Sequence, residues 1–348
     1  MSIPATGQAD VTRLLVVRLG SLGDLVHTLP AVSAIHRTFP SVEIDWLVDA
    51  PHREFLTLVP WLTSVIVLRD RTAGAWLAAR SALRARQFDV ALDFQGLLKS
   101  AALARLSGAR RVIGFTRRAA REGIAAPFYS ERVDAETGQH VIDKNLALAG
   151  ALGVTTDTLE FPLADPASAA ADSVRASGLD HYALINPGAA WPNKRWPPEA
   201  FGRIAQLLRE KHGLASLVLW GPGERPLAEA IVAASNGAAR VAPETTIRDL
   251  VALSRHARLI VSGDTGPLHI AAAVGVPAVG VFGPTNPRRN GPWRDEDISI
   301  SRYDVCDCHY ERRCRRDDDH WCLGSISVDE VAAAIARRLD QTVGSRHV

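Results

Sequence analysis

Two glycine-rich turns, one in each half of the chain, constrain its fold more than any other feature of the sequence. Gly20–Asp24 and Gly263–His269 each lie where a β-branched apolar run stops and a helix-like run begins. Glycine lets the backbone approach a ligand closely, and the N–H groups at a helix N-terminus favour an anion. The sequence therefore predicts two cradles for phosphate or a polar substrate, and it favours a cleft between two domains.

The same strand-to-helix pattern repeats along both halves of the 348-residue chain, which is too long for one ordinary hydrophobic core. Such alternation predicts a parallel sheet with helices on both faces. We expect two doubly wound α/β domains, with strands at 13–18, 42–48, 65–68, 90–94, 182–186, 216–220, 259–262 and 278–282. The expected helices cover 25–39 with an interruption at Pro30, 73–86, 198–211, 224–234, 247–254, 268–274 and 328–339. The predicted boundaries are a domain at 1–165, a linker at 166–180, a domain at 181–325, and a C-terminal helix and tail at 326–348.

Charge and hydropathy exclude several classes of protein. Forty basic and 38 acidic residues give a net charge of +2, which is too balanced for a general nucleic-acid binder. No apolar run reaches the length of a membrane span, and residues 1–12 lack the pattern of a signal peptide, so we expect a cytoplasmic protein. Local basic clusters are suited to an anionic acceptor or membrane surface, and they comprise Arg110–Arg111, Arg117–Arg118 with Arg121, and Arg312–Arg313 with Arg315–Arg316.

Asp24 ends the first turn and has two interpretations from its position alone. A carboxylate at the start of a helix can act as a general base on a ligand in the turn, or it can simply complement the helix dipole. A dinucleotide site is a weaker hypothesis, because its fingerprint requires Gly-x-Gly-x-x-Gly and this turn offers only Gly20-x-x-Gly23. Asp49, near the end of the second predicted strand, does not replace the missing glycine.

Strand-to-helix loops of the second half carry polar residues suited to a nucleotide. Lys194 can reach a phosphate as a mobile point charge, and Glu224 can accept hydrogen bonds from ribose hydroxyls, although a loop charge and a helix-start acid are the simpler interpretations. Backbone N–H groups from Thr265 to Leu268, with the threonine hydroxyl, favour a diphosphate. Asp264 would repel that diphosphate, so we expect it to hold a sugar hydroxyl or to brace the loop. His269 can donate to a phosphate or be a buried structural histidine.

Six segments, spread over nearly the whole chain, form a combination more specific than any single motif. They are Arg18–Asp24, His27–Pro30, Asp93–Ser100, Lys194–Pro197, Gly263–His269 and Gly283–Thr285. In this order they resemble glycosyltransferase family 9, the family of ADP-heptose:lipopolysaccharide heptosyltransferases. The resemblance implies a GT-B fold, in which two Rossmann-like domains face a central cleft, the first binding the acceptor and the second the nucleotide sugar.

The resemblance also implies roles for individual residues. Asp24 matches the catalytic base of the family, and substrate contacts are implied for Arg18, Ser21, Gly23, Lys194, Glu224, Asp264, Thr265, Gly266, Leu268 and His269. The implied reaction is inverting: Asp24 removes the proton of an acceptor hydroxyl as that oxygen attacks the anomeric carbon, and ADP leaves on the opposite face. The chain departs from the family pattern at Ala189 and Ala190, where relatives often present hydroxyl side chains to the phosphates.

The partners implied by the resemblance are ADP-heptose as donor and Kdo-lipid A or heptosyl-Kdo-lipid A as acceptor. Such an acceptor would bring the enzyme to the inner face of the inner membrane as a peripheral protein. No cofactor is required for catalysis on this view, because Lys194 and a helix N-terminus would stabilise the leaving group. Asp93–Ser100 favours the first heptosyltransferase, whereas the cysteine-bearing tail is also compatible with the second or with a less specialised family member. Another nucleotide-sugar transferase or an epimerase on the same fold stays open, and a dinucleotide-dependent oxidoreductase is the weaker alternative.

All four cysteines lie in one short segment, as Cys306, Cys308, Cys314 and Cys322, with His309 and His320 between them. Clustering of every cysteine favours a metal site over disulfides, but the spacing is not that of paired Cys-x-x-Cys zinc knuckles. A structural zinc site and reduced thiols packed in a loop both stay open.

Asp295–Asp297 resembles the carboxylate pair that metal-dependent transferases use. It lies in a segment rich in proline and arginine, and the family resemblance gives it no catalytic role. We therefore predict that these residues form surface charge.

Overall fold

The structure is a computed structural model that describes residues 11–136, 138–315 and 322–344. The chain forms two compact units that divide between Ala164 and Asp165. Parts of several predictions lie outside the described residues, namely residues 1–10, Arg316, His320 and the last four residues of the tail.

The described residues of the first unit form six strands and five helices. Its strands are β1 (Arg13–Val17), β2 (Glu43–Asp49), β3 (Ser64–Leu68), β4 (Val90–Asp93), β5 (Arg111–Phe115) and β6 (Glu131–Val133). Its helices are α1 (Leu22–Thr38), α2 (Arg53–Leu56), α3 (Ala73–Ala85), α4 (Leu98–Leu106) and α5 (Val141–Gly150). The strands pair in parallel in the order β3-β2-β1-β4-β5-β6.

The second unit repeats this architecture. Its strands are β7 (Tyr182–Asn186), β8 (Ala215–Val218), β9 (Ala239–Val241), β10 (Ala257–Gly263), β11 (Ala278–Phe282) and β12 (Ile298–Ser301). Its helices are α6 (Ala169–Ala176), α7 (Pro198–His212), α8 (Arg225–Ala234), α9 (Ile247–His256), α10 (Gly266–Ala273), α11 (Pro287–Asn290) and α12 (Val328–Gly344). The strands pair in parallel in the order β12-β11-β10-β7-β8-β9, so the predicted doubly wound α/β class is confirmed in both units.

The strand order reverses beside the first strand of each sheet. β1 lies between β2 and β4, and β7 lies between β8 and β10. In an open parallel sheet, loops that leave the carboxyl ends of the strands at this reversal form the ligand-binding crevice. The Gly20–Asp24 turn follows β1 and the Gly263–His269 turn follows β10, so each predicted cradle lies at a reversal point.

Helix α1 differs from its prediction at Pro30. The helix is continuous from Leu22 to Thr38, with the proline inside it. A proline in a helix removes one backbone hydrogen bond and is usually destabilising. Every residue from Leu25 to Ile35 is buried, however, and this burial outweighs the lost bond. The predicted interruption is therefore wrong.

The segment expected to link the two domains belongs to the second unit. It contains α6, which is capped by Ser168: the hydroxyl accepts the Ala171 N–H at 3.0 Å and donates to Asp249 Oδ1 at 2.6 Å. Helix α12 also packs into this unit, where Val331 lies in the core beneath the sheet. None of the helices in the described ranges combines the length and apolarity needed to cross a bilayer.

Asp295 and Glu296 are exposed, as predicted, but Asp297 contradicts the prediction that Asp295–Asp297 is surface charge. Its side chain is fully buried and lies 2.8 Å from Arg338 Nε in α12, while it accepts the Ala278 N–H of β11 at 2.9 Å. Burial raises the pKa of Asp297, and the hydrogen bond from Arg338 counteracts part of that rise. The carboxylate therefore ties α12 to the sheet, which a position in a Pro/Arg-rich loop did not reveal.

Candidate active site

Asp24 lies in the first turn of α1 and uses its two carboxylate oxygens for different contacts. Oδ2 accepts hydrogen bonds from the Ser21 N–H at 3.0 Å and the Ser21 hydroxyl at 3.3 Å. Oδ1 lies 2.6 Å from Nη2 of Arg18, whose side chain is 7% exposed, while that of Asp24 is 23% exposed. The side chain therefore caps the helix, as its simpler interpretation predicts, and also presents to solvent a carboxylate held by a buried cation.

Arg18 is itself fixed by the loop that follows β4. Its Nη1 donates to the carbonyl oxygen of Phe94, and its own carbonyl accepts a hydrogen bond from Trp46 Nε1 at 3.0 Å. The next residue, Leu19, donates its N–H to Gln95 Oε1 at 2.8 Å. Both the guanidinium and the chain leaving β1 are therefore anchored before the turn begins.

Asp93 organises this β4 loop from a fully buried position. Its carboxylate accepts hydrogen bonds from the hydroxyls of Tyr129 and Ser100, each at 2.8 Å, and from the N–H groups of Gln95 and Gly96 at 2.9 and 3.2 Å. Burial raises the pKa of Asp93, while these hydrogen bonds counteract the rise. Within the Asp93–Ser100 motif, the aspartate thus braces the loop that holds Arg18.

His52 is a residue beside the turn that sequence reasoning missed. Its imidazole packs against Gly20 so closely that a Cβ on Gly20 would lie 2.7 Å from two ring atoms. Burial lowers the pKa of His52, while the charges of Asp49 and Asp24 partly counteract that shift. A single histidine far from Asp24 in the chain has no spacing pattern that could have indicated this contact.

Lys194 and Asp264 form the centre of the second cradle. Lys194 Nζ lies 2.6 Å from Asp264 Oδ2 and 4.5 Å from the centre of the Trp191 ring, and both charged side chains are largely buried. Asp264 Oδ1 lies 3.2 Å from His269 Nε2. Burial alone would raise the pKa of Asp264, but the His269 hydrogen bond and the Lys194 charge hold it well below its usual range. Asp264 therefore ties Lys194 and His269 together, and its role towards a sugar hydroxyl stays a prediction.

The loop that carries Lys194 rests directly on the end of β10. A Cβ on Gly263 would lie 2.9 Å from the Lys194 carbonyl oxygen, so glycine is required for this approach. The contact brings the loop after β7 and the turn after β10 together, although they are distant in sequence.

The N-terminus of α10 supplies the backbone donors of this cradle. Thr265 is the N-cap residue, and its hydroxyl accepts a hydrogen bond from Asn186 Nδ2 at 2.9 Å. The prediction of N–H groups from Thr265 through Leu268 needs one correction, because Pro267 has no N–H. The Leu268 side chain is fully buried, so this residue can contribute to binding only through its backbone.

Glu224 precedes α8 and reaches over the loop that follows β7. Its Oε2 accepts the Gly221 N–H at 3.0 Å, and its Oε1 lies 3.6 Å from Arg195 Nη2. A Cβ on Gly188 would lie 1.9 Å from Oε2, so only glycine permits this position of the carboxylate. The Glu224 side chain is 20% exposed and can accept further hydrogen bonds from a ligand.

All four cysteines are free thiols. Cys306 and Cys308 are buried, and the sulfurs of Cys308 and Cys314 are 3.8 Å apart. Among the described residues, no three histidine, cysteine, aspartate or glutamate side chains already have metal-binding geometry.

Comparison with known proteins gives a consistent result over most of the chain. The model of glycosyltransferase family 9 (heptosyltransferase) matches residues 76–318. The lipopolysaccharide heptosyltransferase 1 of Pseudomonas aeruginosa is 30% identical over 324 residues, which cover 87% of each chain.

Solved structures show the same similarity. The Escherichia coli heptosyltransferase WaaC with ADP superposes with a TM-score of 0.75 at 25% identity, covering 95% of this chain and 99% of that one. The same enzyme with ADP-2-deoxy-2-fluoro heptose gives a TM-score of 0.74 at 25% identity, covering 93% and 99%. This similarity confirms the GT-B fold class.

Proposed function

The chain belongs to glycosyltransferase family 9, and from this premise we propose that it transfers heptose from ADP-heptose to the inner core of a lipopolysaccharide precursor. The observation that carries the proposal is the combination of two groups at strand-order reversals. One is the Asp24 carboxylate held by Arg18 in the first unit, and the other is the cradle formed by Lys194 and the N-terminus of α10 in the second. A base and an anion site are what this transfer needs.

In the proposed step, an acceptor hydroxyl attacks the anomeric carbon of the heptose while Asp24 takes its proton. The bond between that carbon and the ADP oxygen breaks, and ADP leaves on the opposite face, which inverts the configuration. Arg18 would orient Asp24, because its guanidinium is buried, fixed by the β4 loop and 2.6 Å from the carboxylate. The partly exposed position of Asp24 supports its access to a hydroxyl.

The charge that develops on ADP would be stabilised by the second unit. Lys194 supplies a cation and the N-terminus of α10 supplies N–H donors, so the proposed reaction places no metal at the leaving group. Glu224 would bind the ribose hydroxyls of ADP, and Asp264 would orient Lys194. The methyl groups of Ala189 and Ala190 provide no hydroxyls, so the Lys194 charge and the backbone would carry more of the phosphate binding.

The deciding experiment is incubation with ADP-heptose and either Kdo-lipid A or heptosyl-Kdo-lipid A, followed by mass spectrometry. We expect Kdo-lipid A to gain the mass of one heptose, because similarity to a heptosyltransferase 1 and the Asp93–Ser100 motif both favour the first transfer. A gain only on heptosyl-Kdo-lipid A would identify a second heptosyltransferase instead. No gain on either acceptor would reject the proposal.

Two alternatives give different results in the same assay. An epimerase would convert the nucleotide sugar without an acceptor, and this conversion is visible in the donor-only reaction. A dinucleotide-dependent oxidoreductase would be stabilised against heat by NAD, whereas the proposed transferase would be stabilised by ADP.

We propose that exposed apolar and basic side chains of the first unit meet the lipid-bearing acceptor. We name this group the acceptor edge, and it comprises Leu77, Leu98, Ile124, Arg117 and Arg121. The elements that carry its apolar residues follow β3, β4 and β5 and pack into one core cluster on one face of the sheet. Leu77 and Ile124 are 63% and 55% exposed, so both side chains are available for burial against a membrane. This composition supports peripheral contact with an anionic membrane.

Replacing Ile124 with glutamate should weaken binding to vesicles of phosphatidylethanolamine and phosphatidylglycerol by about tenfold or more, from lost apolar burial and added charge repulsion. Co-sedimentation measures this directly. Leu159→Glu is the matched control, because Leu159 is also exposed but lies next to Glu160, which pairs with Arg37 at the far end of α1. Equal sedimentation of the wild type and Ile124→Glu would show that the membrane contact lies elsewhere.

A further inference from the structure

The cysteine segment brings all four thiols of the chain into one cluster. The sulfurs of Cys308 and Cys314 are 3.8 Å apart, and the Cys322 thiol forms a hydrogen bond with Cys306. Cys306 also receives the Cys308 N–H at 3.4 Å, which joins the two pairs into one group.

The spacing of the first pair is that of two ligands of one tetrahedral metal ion. With metal–sulfur bonds of about 2.3 Å, tetrahedral geometry separates ligand sulfurs by about 3.8 Å. Backbone N–H groups point at two of the sulfurs, since Arg315 donates to Cys308 Sγ at 3.1 Å in addition to the bond that Cys306 receives. Backbone N–H donors of this kind orient the sulfurs that ligate a metal. A disulfide requires sulfurs about 2 Å apart, and all four thiols are free.

The same segment is fastened to the loop of the second cradle. Asn193, the neighbour of Lys194, is buried and donates from Nδ2 to the Glu311 carbonyl at 2.9 Å. The Tyr310 N–H donates to the Pro284 carbonyl at 2.9 Å, and a Cβ on Gly283 would lie 3.0 Å from Cys322 Sγ. Order in the cysteine segment is therefore coupled to the position of the Lys194 loop.

We propose that Cys306, Cys308, Cys314 and Cys322 together bind one thiophilic divalent metal ion, zinc or ferrous iron, that fixes this segment against the Lys194 loop. Four thiolates select such ions over magnesium or calcium. No three of the described side chains already surround a single point. Metal binding would therefore bring the sulfurs of Cys306 and Cys322 to the separation that Cys308 and Cys314 already have. The ion is structural and lies outside the transfer reaction.

Metal analysis of the purified full chain tests this site without reference to its activity. We expect elemental mass spectrometry to find one zinc or one iron per chain. We also expect the four thiols to react slowly with a thiol reagent until a chelator is added. Which element is found distinguishes zinc from iron. Metal-free protein whose four thiols all react at once would overturn the proposal.

Cobalt provides a spectroscopic test on protein freed of its native metal. Co²⁺ alone should give the intense sulfur-to-cobalt charge-transfer bands and visible bands of a tetrahedral thiolate site, and Cys308→Ser should lose them. His309→Ala is the matched control within the segment and should keep them, since only cysteines are assigned as ligands. If Cys308→Ser does not fold, the wild-type titration still decides, because absent bands overturn the site.

The link to the Lys194 loop has its own readout. Removal of the metal should raise the dissociation constant for ADP, and zinc or ferrous iron should restore it. An unchanged dissociation constant for ADP in fully metal-free, folded protein would overturn this part of the proposal. The heptose-transfer assay would remain a separate test of the proposed function.

Discussion

Asp24→Asn is expected to lower kcat for heptose transfer by about 10²- to 10⁴-fold, the usual contribution of a general base, while the affinity for ADP stays unchanged. The amide cannot take the proton from the acceptor hydroxyl. It retains an oxygen for the hydrogen bonds from Ser21, so the start of α1 should persist. Single-turnover rates with ADP-heptose, together with calorimetric titration of ADP, measure the two effects separately.

Asp24→Asn also removes the negative charge next to buried Arg18. The thermal stability of the variant must therefore be measured together with its rate of heptose transfer. Asp249→Asn is the matched control, because Asp249 is likewise in a helix first turn and accepts the Thr246 N–H at 3.0 Å. It should lose about 1 kcal/mol of stability and keep its turnover. Retained turnover in Asp24→Asn would show that Asp24 is only a helix cap and that the base is another residue.

Strands that are buried on both faces could be predicted because such burial leaves a continuous apolar run in the sequence. β7 and β11 are buried at every position and have the predicted bounds. The strands that were missed are short or carry polar residues, such as β6 with Arg132 and β12 with Ser299 and Ser301. Their pairing with a neighbouring strand, rather than their own composition, makes them strands.

Site residues could be predicted where their position depends only on which loop follows which strand in the sequence. A glycine turn after an apolar strand marks where Asp24 and Asp264 lie, because ligand loops leave the carboxyl ends of parallel strands. The partners of these residues come from other loops: His52 reaches Gly20, and Glu224 reaches Gly188. These close contacts are possible because glycine has no Cβ, and each joins residues that are far apart in sequence. No local sequence pattern predicts them.

Lys194→Met should lower kcat/KM for ADP-heptose by about 10²- to 10³-fold, comparable to the removal of one donor that stabilises charge in a transition state. The loss has two sources in this structure. The leaving diphosphate loses a cation, and buried Asp264 loses the ammonium group that lies 2.6 Å from its carboxylate. Lys211→Met is the matched control, because Lys211 is an exposed lysine at the end of α7 and should show wild-type kinetics.

A double-mutant cycle with Asp264→Asn separates the two sources, since it measures how far the effect of one substitution depends on the other. If Lys194 contacts the phosphates, Lys194→Met should still weaken ADP binding in the Asp264→Asn background, where no carboxylate is left without its partner. Asp264→Asn alone should weaken ADP binding less than Lys194→Met, because the cation remains. If Lys194→Met has no effect on ADP affinity once Asp264 is neutral, Lys194 acts only by holding Asp264, and the phosphate charge must be met by the N–H groups of α10.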